Sequence, residues 1–411
     1  MMKIEHKRIM IVGWFNPRYS AEGPAQGFES NGFEVIRVAS DEATPNKSGR
    51  FDYHLMEYYI SALPYKDKTK SDKGRWTMNQ LNEIVAIQGG RRLFYLKWIV
   101  DKLEKPLDFI LVIQYECPAS IEGIDIPVGY YLTETCDPSL PLGRNIDFLF
   151  YAFVDGLSKL SRIYPFWKQQ WIHTKLIPHA INKDVIPTDF KPLSERKIKI
   201  GFKGLLELNT REKNPLVKYI YAERKRFVNL LLDTNTLVQK QNWLQKLLKR
   251  KIPEPVFKLE NNTNWKAYVE FMGDCQLALN VPGIDGYINQ RQYETLAFGC
   301  LLLQYYYDEL PELGFYGDPK TYPDLCNCLW FRNEKELLDR YNWYISHPIE
   351  AQAIANRGRN WLFESNQTWQ GRAKMMLDEL TRDDDELKYE IYNHNKSEKL
   401  RLEMEAIHNA N

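Results

Sequence analysis

The chain has 411 residues, 27% of them charged, with 55 Lys and Arg against 54 Asp and Glu and a formal net charge of +1. One hydrophobic core rarely serves such a length, so two domains of roughly 150 to 200 residues are expected. The balanced charge excludes a global attraction to nucleic acid or membrane, and any charge-driven partner must be met by a local patch.

No apolar run reaches the roughly 20 residues of a spanning helix, and MMKIEHKRIMIVGWF passes directly into a strand-like run without a signal-peptide plan. The expected compartment is therefore the cytoplasm. Cys117, Cys136, Cys275, Cys300, Cys326 and Cys328 are scattered without C-x-x-C pairing, which fits free thiols.

In chain order, KRIMIVGWF reads as a strand, NPRYSAEGP as a loop, the following stretch to Asn31-Gly32 as a helix, and FEVIRVAS as a second strand. A helix near RRLFYLKWIVDKLEK and the strands DFILVIQY, VGYYLTE and DFLFYAF continue the alternation. Short, almost continuously apolar strands separated by helices indicate a parallel sheet covered on both faces. KLIPHAINKDVIPTDFKPLSE, with three prolines, reads as a linker. The alternation then resumes with KIKIGFKG, the basic helix YIYAERKRFVNLLL, the strand QLALNVPG, a helix carrying Arg291 and Glu294, the strand CLLLQYYY, and LWFRNEKELLDRYNWYISH leading into helices. The fold class is thus α/β, two doubly wound Rossmann-like domains facing across a cleft. Residues 1–185 form the first domain, 195–380 the second, and 381–411 a charged helical tail.

In such sheets ligands bind beyond the carboxyl ends of the strands. Gly201 and Gly204 at the end of KIKIGFKG can let a phosphate approach the backbone, and Lys203 adds charge. One of Arg224, Lys225 and Arg226 can face back to grip a diphosphate, the alternative being a solvated basic face. Asn280 and Pro282 end the next apolar strand beside the loop GIDGYINQ, which contains Asp285. Arg291 and Glu294 are three apart and share a helix face that closes on Gly299, a residue suited to a left-handed C-cap. By itself the pair also fits a surface ion pair. Together these residues outline a site for a phosphorylated, hydroxyl-bearing ligand, with cations for a diphosphate and Glu294 accepting from ribose hydroxyls.

The run ALNVPG, the helix RQYETLAFGCLLLQ and the downstream SHPIEAQAIANRGRNWLFESNQTWQGRAKMML resemble the C-terminal half of GT-B glycosyltransferases. The likeness is greatest to the spore-maturation (CgeB-like) branch within the group 1 glycosyltransferases, whose R-x-x-E-x-x-A-x-G pattern falls here on Arg291, Glu294, Ala297 and Gly299. The resemblance covers about residues 195 to 380. It implies that Glu294 binds the nucleotide ribose, that Gly204 and an arginine among 224 to 226 meet the diphosphate, and that Arg291 supports the donor phosphates or holds the loop. Many retaining members carry a glutamate where this chain has Gly286, with Asp285 adjacent as a substitute. The family needs no metal or other cofactor, and no D-x-D pair stands in a metal-binding turn, since Asp383 to Asp385 lie in the tail.

If the reaction inverts the configuration, the acceptor hydroxyl needs a base, and its candidates lie at the ends of the N-terminal strands. Glu134 and Asp137 in LTETCDP are the leading candidates, with His54 and Glu116 behind them and Glu22 and Gly23 bordering the site. Two basic patches, Lys66 to Arg75 and Lys246 to Lys251, suit an anionic polymer such as DNA, or else plain solvated surface. The resulting expectation is a metal-independent hexosyltransferase that uses a nucleotide sugar, with UDP as the leaving group, and an acceptor hydroxyl on a modified DNA base or on a surface glycan or protein. The competing expectation is a non-catalytic GT-B-like binding or coat-associated protein. A dinucleotide-dependent oxidoreductase is disfavoured because NPRYSAEGP lacks G-x-G-x-x-G.

Overall fold

Strand β1, Arg8–Gly13, is buried along its whole length, and so is β5, Phe109–Ile113. A strand with no wet face must lie inside a sheet covered on both sides. The computed structural model describes residues 2–13, 15, 21–39, 52–54, 94–113, 119–121, 123–133, 146–152, 173–181, 186, 188–204, 218, 221–233, 257–260, 265–282 and 289–382. Around β1 stand β2 (Glu34–Ala39), β3 (Tyr53–His54), β5, β7 (Val128–Leu132), β8 (Phe148–Tyr151) and β9 (His173–Leu176) in the order β3-β2-β1-β5-β7-β8-β9. Every pairing in this sheet is parallel.

Successive residues point to opposite faces of a strand. Met10, Val12, Ile110 and Val112 accordingly join one core, with Leu96 and Ile99 from helix α2 (Leu96–Val100). Ile9, Ile11, Phe109 and Leu111 join the other, with Phe28 from helix α1 (Glu22–Ser30). The helix expected over RRLFYLKWIVDKLEK is shorter in the structure. Phe94–Tyr95 (β4) pair in parallel with Ala119–Ser120 (β6), so the helix begins only at Leu96.

The second sheet runs β11-β10-β12-β13-β14, again parallel throughout. Its strands are β10 (Ile198–Lys203), β11 (Phe257–Glu260), β12 (Cys275–Asn280), β13 (Leu301–Tyr305) and β14 (Leu329–Phe331). Between and after them come helix α3 at residues 221–233, α4 (Trp265–Asp274), α5 (Gln290–Ala297), α6 (Glu334–Ser346) and α7 (Pro348–Glu364). The expected α/β architecture of two parallel, helix-covered sheets is the one observed.

The last described helix, α8 (Trp369–Leu380), leaves the second sheet and packs on the first. Trp369, Ala373, Met376 and Leu380 enter the core that holds Ile9, Phe28 and Tyr131. Two glycines of α1 make room for it. A Cβ on Gly23 would fall 2.1 Å from Trp369 Nε1, and one on Gly27 would fall 2.2 Å from the Trp369 carbonyl oxygen. The outgoing and returning chain segments lie side by side, since Ile181 and Thr368 form a parallel bridge and the Trp369 N–H donates to Ile181 O at 3.3 Å. Arg372 adds a cross-link, with Nη2 donating to His179 O at 3.4 Å and to Gln367 Oε1 at 2.5 Å, and with its guanidinium 5.5 Å from the Tyr293 ring of α5. Charged residues beyond 382 lie outside the described residues. Replacing Trp369 with alanine empties the seat between α1 and the sheet, and a lowered urea midpoint should record a loss of about 3–5 kcal/mol.

Candidate functional site

From β10 the chain crosses to β11 on one side and then back past β10 to β12 on the other. At such a reversal the connections diverge and leave a crevice beyond the carboxyl ends of the two central strands. The residues delivered there are Lys203 and Gly204 from β10, and Asn280 to Pro282 from β12.

Lys203 is 3% exposed, and its ammonium lies 5.4 Å from the ring centre of Tyr268 and 5.9 Å from that of Phe271. Asn280 is buried, with Nδ2 donating to Gln304 Oε1 at 2.8 Å and Oδ1 accepting from Arg291 Nη1 at 3.5 Å. Among the three cations of α3, Arg224 faces the carboxyl end of β12. It stacks on Tyr221 at 4.5 Å and donates from Nε and Nη2 to Pro282 O at 3.3 and 3.1 Å. Arg226 pairs instead with Glu223 and Glu334, each at 3.0 Å, and Lys225 is exposed.

Helix α5 owes its placement to both of its ends. At the start, Asn289 Oδ1 accepts from the Arg291 N–H at 3.1 Å, while Gln292 Oε1 accepts from the Asn289 N–H at 2.9 Å. This reciprocal cap satisfies donors that a helix start leaves unpaired. Asn289 Nδ2 also reaches Val281 O at 3.5 Å, so the positive end of the helix sits beside the end of β12. At the other end Gly299 has φ +63°. The Gly299 N–H donates to Leu296 O at 2.9 Å and the Cys300 N–H to Thr295 O at 3.2 Å, a Schellman closure that a side chain at Gly299 would strain. Buried Arg196 completes the stop by donating to Phe298 O at 3.0 Å, Cys275 O at 2.9 Å and Lys191 O at 2.9 Å. Burial pushes the nearby Cys300 thiol up to about 11 against the opposing pull of Arg196, which leaves it un-ionised at neutral pH.

The two charged residues of α5 have different surroundings. The Arg291 guanidinium lies 4.7 Å from the Phe202 ring centre, and its Nη2 is 2.9 Å from where a Cβ on Gly204 would stand. The missing side chain at Gly204 thus admits an arginine to the end of β10. Glu294 is 3% exposed, which rules out a surface ion pair. Its Oε2 accepts from the Tyr268 hydroxyl at 2.5 Å, and its Oε1 is buried with no hydrogen-bond partner among the described residues.

The structure therefore gathers Lys203, Gly204, Asn280 and Arg291 at one strand reversal, with Arg224 bracing Pro282 and Glu294 one turn further along α5. Gly201 is placed differently. It lies within β10, and the space of its absent Cβ is taken by Cys275 Sγ at 2.2 Å and the Phe271 ring at 2.9 Å. Glu22 forms a buried pair with Arg37 at 3.3 Å, and Gly23 seats Trp369. Asp285, Glu116, Glu134, Asp137, the patch Lys66 to Arg75 and the patch Lys246 to Lys251 lie outside the described residues, and of His54 only the backbone is described. Among the described residues no group of three or more His, Cys, Asp or Glu gathers as a metal site, and no helix is long and apolar enough to cross a membrane. The sequence does not single out Tyr268 or Arg196. An aromatic in WKAYVEFMGD looks like any core residue, and nothing local marks Arg196 as buried.

Two parallel helix-covered sheets, with a strand reversal in the second and a terminal helix returning to the first, make up the GT-B fold. Residues 236–378 match the model of a glycosyl transferase-like family. Sucrose-phosphate synthase from Thermosynechococcus elongatus superimposes with a TM-score of 0.50 at 11% identity, covering 94% of this chain and 100% of that one. An α-glucosyltransferase in complex with UDP-glucose and DNA containing an abasic site gives 0.51 at 12% identity, covering 91% and 99%. A UDP-forming α,α-trehalose-phosphate synthase from Burkholderia xenovorans gives 0.50 at 12% identity, covering 90% and 98%. No curated protein matches the chain in sequence. Asn289→Ala removes the cap of α5, and chemical denaturation should show a loss of about 1 kcal/mol.

Proposed function

We propose that this chain is a nucleotide-sugar-dependent glycosyltransferase of the hexosyl type that uses a UDP-sugar. The observation that carries the reading is the buried Glu294, whose Oε1 has no donor among the described residues, on a helix that also brings Arg291 to the strand reversal. A carboxylate oxygen with no partner among the described residues suits a ligand hydroxyl, and Lys203 at the end of β10 with Arg291 at the start of α5 suits a diphosphate. The family match over residues 236–378 covers the stretch that contains β12 and α5. The Arg291, Glu294, Ala297, Gly299 pattern further favours the spore-maturation branch within that family.

In this reading residues 195–380 hold the donor and residues 1–185 present the acceptor. The acceptor hydroxyl attacks the anomeric carbon, and the bond from that carbon to the diphosphate oxygen breaks. Glu134 or Asp137 takes the hydroxyl proton. Lys203, Arg291 and the positive end of α5 stabilise the negative charge that develops on the leaving UDP, the work a metal ion does elsewhere, so the reaction proceeds in the cytoplasm without one. Asp285 is the candidate for the donor-sugar contact, in place of the glutamate that many retaining members carry. The structural likeness to a glucosyltransferase bound to UDP-glucose and DNA supports a UDP donor, and with the patches Lys66 to Arg75 and Lys246 to Lys251 it keeps a modified DNA base as a candidate acceptor beside a surface glycan or protein.

UDP at 100 times its Kd should raise the melting temperature by the equivalent of about 2.7 kcal/mol. Glu294→Ala should abolish that shift. An unchanged shift in this variant would remove Glu294 from the site. Transfer and donor hydrolysis should persist in excess EDTA, and a purified chain that binds UDP yet neither transfers nor hydrolyses any donor would instead be the non-catalytic binding protein.

A further inference from the structure

We propose that Tyr268 is a positioning residue that occupies one oxygen of Glu294 and so makes this carboxylate a selector for a single ribose hydroxyl. The inference rests on the UDP-sugar reading above and deepens it.

Tyr268 lies on α4, wholly buried, with its ring edge-on to Phe298 at 6.2 Å and the Lys203 ammonium 5.4 Å from its ring centre. A ring held in this way cannot follow a moving carboxylate, so its hydroxyl is a fixed donor. That hydroxyl donates to Glu294 Oε2 at 2.5 Å, and the bond joins α4 to α5 across 26 residues of chain. Two consequences follow from the geometry. The Glu294 carboxylate is locked against rotation about its last torsion, because turning it would break a buried hydrogen bond. In addition, Oε1 is left as the acceptor, with no donor to it among the described residues. A carboxylate with both oxygens open holds a vicinal diol through both hydroxyls. With Oε2 engaged, Oε1 takes one hydroxyl well and the other poorly. The Lys203 charge above the same ring also polarises the phenol as a donor, which ties the diphosphate end of the site to the ribose end.

The test is calorimetric binding of UDP, 2′-deoxy-UDP and 3′-deoxy-UDP to the full chain. Wild type should lose about tenfold or more in affinity on removal of one ribose hydroxyl and less than about threefold on removal of the other. Tyr268→Phe keeps the ring and frees Oε2. It should bind UDP about 5- to 20-fold more weakly, and its two deoxy losses should become equal within about threefold. Equal losses in wild type overturn the proposal without any variant, so poor folding of Tyr268→Phe cannot shield it. Unchanged affinity and selectivity in a folded Tyr268→Phe overturn it as well. If wild type binds no UDP, or Glu294→Gln keeps full affinity for UDP, the underlying reading of the site fails instead.

Discussion

A parallel sheet whose strands are apolar on both sides has to be covered on both sides, and most of this structure follows from that requirement. Strands such as Phe109–Ile113 bury every residue, so the chain between neighbouring strands crosses over a face, usually as a helix. Covering both faces obliges the path to reverse somewhere along the sheet. In the second sheet it reverses between β10 and β12, where Arg291 meets Gly204 and Asn280 and where Lys203 ends β10 against Tyr268 and Phe271. The candidate site is therefore a by-product of covering the core. Its chemical character comes from the few polar residues that end otherwise apolar strands.

What holds the charged groups in position is the pinning of α5 at both ends. The Asn289 and Gln292 cap fixes the start against β12, and Gly299 with Arg196 fixes the stop against the beginning of the same strand. A helix of eight residues has little stability of its own. Its angle, and so the positions of Arg291 and Glu294, depend on these tertiary hydrogen bonds. Arg359 contributes at the same end by donating to Ala297 O at 3.3 Å between the rings of Phe190 and Phe363.

The return of α8 links the two sheets more firmly than a single linker would. Arg372 touches the outgoing segment through His179, the returning segment through Gln367, and α5 through the face of Tyr293. Any rotation of one sheet against the other must pass through this cluster, which abuts the helix that carries Glu294. Burial raises the Tyr293 hydroxyl pKa against the nearby guanidinium, which keeps this contact between a cation and a neutral ring at physiological pH.

Much of the fold was readable in the sequence because its signals are local. Apolar runs, their spacing and the glycine at 299 report periodicity and backbone conformation within a few residues, and they located the strands around α5, its closure and the residues carried to the strand ends. The helix at Leu96–Val100 is shorter than its sequence pattern because the strand pairing that consumes Phe94 and Tyr95 involves residues 25 positions away. The same distinction separates the glycines. Gly204 and Gly201 look alike in KIKIGFKG, yet one opens to Arg291 while the other is filled by Cys275 and Phe271, partners that a one-dimensional pattern cannot name. Sequence alone was enough for the α/β class, the doubly wound alternation and the presence of an arginine and a glutamate on one short helix. The burial of that glutamate, its bond to Tyr268 and the seat of Trp369 between two glycines were settled in three dimensions, because each depends on side chains brought together from distant parts of the chain by the packing of whole elements.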